Sequence, residues 1–353
     1  MNVRLAHVLA LSIVVAIACG GSNGVTAGKK VALLLPNFSA RFDAQDKPAF
    51  SDKLSQLCSD CQLLYSAAGK AADQEAQAKQ AITGGASVIV VDPFDAGAAA
   101  AIAADAKAAN IPVISYDRMI VSTADLRYYI GFDTAAVGTV QANALLTAIG
   151  TKTNPKIIEL NLDPTDKQAT VLKTGAHSVL DGKVQFVKES SVAGSKQADA
   201  QTEMGNALKG LGGNKLDGVL AANDAIAAGA ITAMKIVHLT PWPPVTGQGA
   251  GLAAIQRILV GEQYMTVYES LVLEAETAAQ LAYDLAFGVA VPSSMTSGNT
   301  QNNGTADIPA VLLAPTSVTK ANIESTVVQD GVWSPDEICT SQYISACADA
   351  GVS

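Results

Sequence analysis

From residue 29 onward the chain alternates between two hydrophobic patterns. Nearly continuous apolar runs at 31–35, 63–65, 88–91, 111–116 and 128–132 read as strands buried on both faces. The Ala-rich stretches between and after them, at 50–57, 71–82, 96–109 and 135–149, read as helices. Strand–helix alternation of this kind predicts a parallel sheet with right-handed crossovers. The pattern then restarts. Strands at 157–162, 184–187, 219–222, 245–246 and 265–268 alternate with helices at 169–180, 197–208, 225–237, 250–259 and 271–287. Two half-length series predict two similar lobes, with the loops at the carboxyl ends of their strands facing each other across a cleft. Residues 291–306, rich in Ser, Asn, Gly and Thr, read as a surface loop. The tail from Val332, carrying Trp333 and two cysteines, is expected to pack back on the body.

Polar residues gather at the predicted strand ends: Asp92, Asp117-Arg118, Asp133, Asp163, Asp166, Asn223-Asp224 and Gln248. Any one of them reads as a helix N-cap. Their repetition through both series points to a binding cleft.

Composition narrows the function classes. With 49% hydrophobic and 16% charged residues the chain is no disordered segment. A net charge of −9 and the lack of a basic stripe exclude a nucleic-acid partner. The three histidines, His7, His177 and His238, stand near no Gly-x-Ser-x-Gly elbow and at no metal-ligand spacing. The first strand ends in Pro36-Asn37, without a phosphate-binding glycine loop. The reading is therefore a binding protein with no catalytic residue, cofactor or metal. A glycosidase is the enzyme alternative, because strand-end Asp and Glu could act as acid and base if their separation allowed it.

The N-terminus adds a location. Arg4 precedes an uncharged, mostly apolar run to Ala18, then Cys19-Gly20-Gly21-Ser22-Asn23-Gly24. Residues 1–18 read as a signal peptide, too short for a comfortable membrane span. Ala16-Ile17-Ala18-Cys19 resembles a bacterial lipobox, which would acylate Cys19 and leave 19–28 as a tether. Ala16-Ile17-Ala18 also passes as a cleavage site that would release the chain. Either reading exports the protein, to a cell-membrane or free position facing the periplasm or the exterior. The four remaining cysteines allow three pairings. In an oxidising compartment the local pairs Cys58–Cys61 and Cys339–Cys347, each closing a short loop, are favoured over a redox or zinc role.

Five ordered segments make the reading specific: Ile114-Ser115-Tyr116-Asp117-Arg118-Met119-Ile120, Tyr129-Ile130-Gly131-Phe132-Asp133, Ala221-Ala222-Asn223-Asp224-Ala225, Thr246-Gly247-Gln248 and Met265-Thr266-Val267-Tyr268. Together they resemble the xylose-binding proteins of bacterial ABC transport, from about Lys29 to Asn322. The resemblance implies an α/β fold, the type I periplasmic binding protein, with two Rossmann-like lobes joined by three hinge strands. It implies an N-terminal lobe of 29–133 plus 269–315 and a C-terminal lobe of 134–268 plus 316–353. It also implies a monomer that binds xylose or a related aldose and delivers it to ABC permease subunits. Feeding a chemoreceptor or sensor kinase, or holding a diverged non-pentose ligand, are the alternatives.

Carried over by motif, Arg41 and Phe42 look like the arginine and stacking aromatic after the first strand. Asp117 and Arg118 look like paired ligands of the same lobe, Asp166 like the aspartate of the second lobe's first loop, and Asn223 like the asparagine beneath the sugar. The chemistry suits a pyranose: guanidinium donates to neighbouring hydroxyls, carboxylate accepts, and an aromatic ring covers the C–H face. The second lobe departs from the pattern. Ser195 stands for a tryptophan, Asp166-Lys167-Gln168 for Asp-Asn-Asn, Gly249 for an aspartate and Glu269 for a lysine, so Gln168 and Glu269 join the candidate ligands.

Overall fold

The structure, a computed structural model, describes residues 28–211 and 215–353. The signal peptide, Cys19 and all of the tether before Gly28 lie outside the described residues. Twelve strands appear among those described: β1 (Lys30–Pro36), β2 (Gln62–Ala68), β3 (Val88–Val91), β4 (Val113–Tyr116), β5 (Tyr128–Phe132), β6 (Lys156–Asn161), β7 (Gln185–Ser191), β8 (Gly218–Ala221), β9 (Met265–Tyr268), β10 (Thr300–Asn302), β11 (Asp307–Leu313) and β12 (Thr316–Thr319). Seven form one sheet in the order β10-β11-β5-β4-β3-β1-β2. All of its pairings are parallel except β10 with β11. A second parallel sheet runs β7-β6-β8, extended by a bridge from Val219 to Val245. Strands β9 and β12 form an antiparallel pair.

The period-2 alternation of β1 shows why the first sheet is covered on both sides. Val31, Leu33 and Leu35 enter one core with Phe50, Leu54 and the helix Leu271–Phe287. Ala32 and Leu34 enter another with Ala78, Ile102 and Ala106 from the helices Ala71–Thr83 and Ala100–Ala108. The chain passes between the two groups of strands three times: from β5 into the helix Thr134–Ile149, from β9 into Leu271–Phe287, and from β11 into β12.

Most predicted elements form within a few residues of their expected ends. Three differences have physical causes. Residues 291–306 are more than a loop: they hold a short helix, Ser293–Thr296, and β10, which adds to the sheet edge. Strand β11 escapes a sequence reading because Pro309 interrupts its run, and proline is tolerated there because the pairing with β5 begins only at Ala310, where β10's three-residue pairing ends. Before the helix Lys47–Leu57 the chain makes a wide helical turn, Phe42–Asp46, which directs Phe42 inward.

The tail does pack back. Ile338, Cys347 and Val352 are buried with Ile255, Ile258 and Leu259 of the helix Leu252–Leu259, and Trp333 donates to the Ala250 carbonyl at 2.8 Å. Both local disulfides are present, Cys58–Cys61 between a helix end and β2, and Cys339–Cys347 in the tail.

Candidate functional site

The carboxyl ends of β1, β3 and β4 bring three polar segments together. Arg41, just beyond β1, pairs its guanidinium with Asp117 and lies 3.7 Å from Asp46 and 3.9 Å from Asp92. Arg118 donates from Nε to Asp92 Oδ1 at 2.8 Å. Asp117 is in the left-handed backbone region (φ 57°), which aspartate tolerates better than most residues. That turn lets adjacent side chains serve different partners, Asp117 on Arg41 and Arg118 on Asp92. The turn is fastened by Tyr129, whose hydroxyl donates to the Asp117 carbonyl at 3.0 Å, and by Ser115, which donates to the Arg118 carbonyl at 2.8 Å.

Beneath this layer, Tyr116 donates to Asp46 at 2.6 Å in full burial. Glu274, in the first turn of Leu271–Phe287, is also buried, and neither carboxylate oxygen has a partner. Burial pushes its carboxyl well above the ordinary glutamate range, and the nearby Asp117 adds to this. Asp92 rises to about 7, first through burial and then through Asp117, with Arg118 opposing. Arg41 is raised as well, which in its case favours the charged form. Burial disfavours its charge, but Asp117 and Asp46 overcome that and raise its pKa.

Phe42 is not an exposed platform. Only 2% of it is accessible, and it supports the Arg41 guanidinium, 4.7 Å above its ring, from within the core. The aromatic presented to solvent is Phe38, 58% exposed, edge-on to Phe42 and Phe94 and with the Arg118 guanidinium 4.8 Å over its ring. Phe38 precedes the wide turn and so stays outside, whereas Phe42 begins it and faces in.

Glu269 follows β9 and reaches the same neighbourhood. It accepts from Gln248 at 2.9 Å. Burial raises its carboxyl; Gln248 opposes that rise, Asp117 adds to it and Arg41 counteracts it.

The second set of strand ends is built differently. Asp166 and Gln168 occupy an exposed turn after β6, where Asp166 accepts from the Gln168 backbone at 2.8 Å. Ser195 donates no ring but a tie: its Oγ accepts from the Asp163 backbone at 2.9 Å, while Asp163 accepts from Gly194 and Thr165. Those bonds hold the Asp163 carboxyl down at about 2. Asn223 caps the helix Asp224–Ile236 by accepting from Ile226 at 2.9 Å. Asp224 is a structural clamp, accepting from Gln263 and Gly251. Among the predicted site residues, then, Arg41, Asp117, Arg118 and Glu269 converge. Asp166, Gln168 and Asn223 line the ends of the other sheet. Asp46 and Glu274 were missed because no local motif marks a residue whose role is to sit under another; Tyr116 stands in the 114–120 segment, but nothing local marks it as the partner of Asp46.

The match to known proteins follows this geometry. A model described as periplasmic binding protein domain matches residues 31–289. The chain belongs to this family of periplasmic binding proteins. Among relatives of this family, the D-xylose-binding periplasmic protein of Escherichia coli (strain K12) is 35% identical over 299 residues, 83% of this chain and 88% of its own length. The D-xylose-binding periplasmic protein of Haemophilus influenzae is 31% identical over 333 residues, 93% and 97% of the two chains. An ABC transporter solute-binding protein from Clostridium phytofermentans, solved with bound β-D-glucose, is 25% identical with a TM-score of 0.64, covering 88% of this chain and all of its own. In this periplasmic binding protein the α/β architecture places parallel strand ends at the site. No helix among the described residues is long and apolar enough to cross a membrane.

Proposed function

We propose that the chain captures an aldose monosaccharide, xylose or a close relative, between its two lobes and hands it unaltered to the permease of an ABC importer. The observation that carries this reading is the half-open Arg41–Asp117 pair, set beside Arg118 and the exposed face of Phe38. Two guanidiniums and a carboxylate can exchange hydrogen bonds with adjacent hydroxyls, and Phe38 can cover the apolar face of a ring. The sugar-binding relatives at 31–35% identity support the same class of ligand.

The lobes in this proposal are 29–133 with 269–315 and 134–268 with 316–353. The three chain crossings serve as hinges, and closure brings Asp166, Gln168 and Asn223 onto the ligand held by the first lobe. The protein acts as an exported monomer, tethered through acylated Cys19. A diverged ligand is the second reading, favoured by Glu269 and its bond to Gln248, which place a carboxylate where the resembling motif has lysine.

Isothermal titration with a panel of aldopentoses and aldohexoses tests both readings. One saturable site for at least one sugar is the expected result. Absence of binding throughout the panel, together with hydrolysis of a glycoside by the folded chain, would overturn them.

A further inference from the structure

Strands β6 and β7 place two glutamates directly side by side: Glu159 and Glu189 are register partners in a parallel pairing. Like charges opposed on one face of a sheet are destabilising unless a cation lies between them. His177, from the helix Ala169–Leu180, supplies the group that faces both, with Nε2 2.9 Å from Glu159 Oε2 and 3.9 Å from Glu189 Oε2. Its ring is fixed twice over. Nδ1 is 2.8 Å from Asp181 Oδ1, and the ring stacks on Phe186 with 4.7 Å between centroids and 8° between planes.

Glu159 is 1% exposed, yet its second oxygen, Oε1, has no hydrogen-bond partner. A carboxylate taken that far from water with one oxygen unsatisfied is costly and calls for another charge. One ligand atom from each of Glu159, His177 and Glu189 lies within 4.8 Å of the other two. On the solvent side His177 opens on a hollow lined by Lys173, Thr174 and Asp181, so an ion has a way in.

We propose that Glu159, His177 and Glu189 form a binding site for a divalent transition-metal ion of the zinc class. One imidazole nitrogen and two carboxylate oxygens make a donor set suited to zinc, and water would complete the tetrahedron. The Asp181–His177 bond supplies the carboxylate behind the imidazole that orients a metal-bound histidine. Lys173 is the competing cation, since it pairs with Glu189 and must turn away when metal enters. The sequence offered no sign of this site because its ligands come from two strands and a helix, at spacings that match no linear motif. It lies on the β6–β7 side of the second sheet, apart from the Arg41–Asp117–Arg118 cluster, and does not depend on the ligand proposed there.

Titration of zinc chloride into the chelator-stripped full chain tests the proposal. One saturable equivalent is expected, with a rise in melting temperature on adding zinc. Glu189→Gln, at an exposed position, is expected to weaken zinc binding by at least about tenfold while leaving the metal-free melting temperature in place. Lys173→Met is expected to tighten it, because the rival cation is gone. No saturable binding, or zinc binding that both variants leave unchanged, would overturn the site.

Discussion

Arg118 and Asp92 form an ion pair at 2.8 Å in which the carboxylate is fully buried and the arginine side chain as a whole remains 37% exposed. The asymmetry defines the first lobe's half of the site. Asp92 holds the arginine from beneath, and the arginine keeps part of its surface at the strand ends. Arg41 and Asp117 repeat the theme, each with more than a quarter of its side chain accessible.

Arg118→Ala should reduce sugar affinity by about two orders of magnitude, since charge-assisted hydrogen bonds contribute about 1.5–3 kcal/mol each. It should also strand the buried Asp92 carboxylate, costing on the order of 3 kcal/mol of stability above neutral pH. Titration calorimetry and melting at pH 8 read the two effects. Unchanged affinity would make Arg118 purely structural.

The unliganded protein should melt at a higher temperature at pH 5 than at pH 8. Asp92 titrates near 3.8 when unfolded and at about 7 when folded. Between those values the folded form binds more protons, so this stability is present below about pH 4 and is lost as pH rises through 7. Glu274 is raised in the same direction. Asp92→Asn and Glu274→Gln should each flatten the slope, and a slope that neither changes would assign it to other groups.

Glu269→Gln keeps the shape of the side chain and removes its charge. Sugar affinity should fall about tenfold if the carboxylate accepts a hydroxyl, the worth of one charge-assisted bond. Stability should shift by only about 0.5 kcal/mol, as the residue is half-buried. Calorimetry across the sugar panel would show whether the rank order of sugars changes as well.

The helices Thr134–Ile149 and Ala169–Leu180 meet with their backbones in near contact. A Cβ on Gly175 would overlap the Ala135 carbonyl oxygen, and one on Gly138 would overlap that of Leu172. Gly175→Ala should cost about 1–3 kcal/mol by forcing the helices apart. A wild-type urea midpoint in that variant would contradict the packing.

Replacing Cys339 and Cys347 by Ser should lower stability by about 2–3 kcal/mol, the loop-closure value for a span of this length. The loss should be concentrated in the tail, because Cys347 is buried in a cluster with Ile255, Ile258 and Ile338. Hydrogen exchange of 323–352 would locate it.

The alternation of apolar runs and Ala-rich stretches was enough to place most of β1 to β9 and their helices, because strand burial and helical periodicity are written locally. The motif at 114–120 likewise marked Asp117 and Arg118, and the short cysteine separations marked both disulfides. Tertiary structure alone decided what lies under and beside those residues. Phe42 and Phe38 are four positions apart in one loop, and only the inward turn at Phe42–Asp46 makes one core and the other surface. Glu274 sits more than 150 residues from Asp117, and the electrostatic link between them exists only because the helix after β9 returns to the first sheet. Burial and long-range charge are sums over neighbours that folding assembles, so no local stretch of sequence carries them.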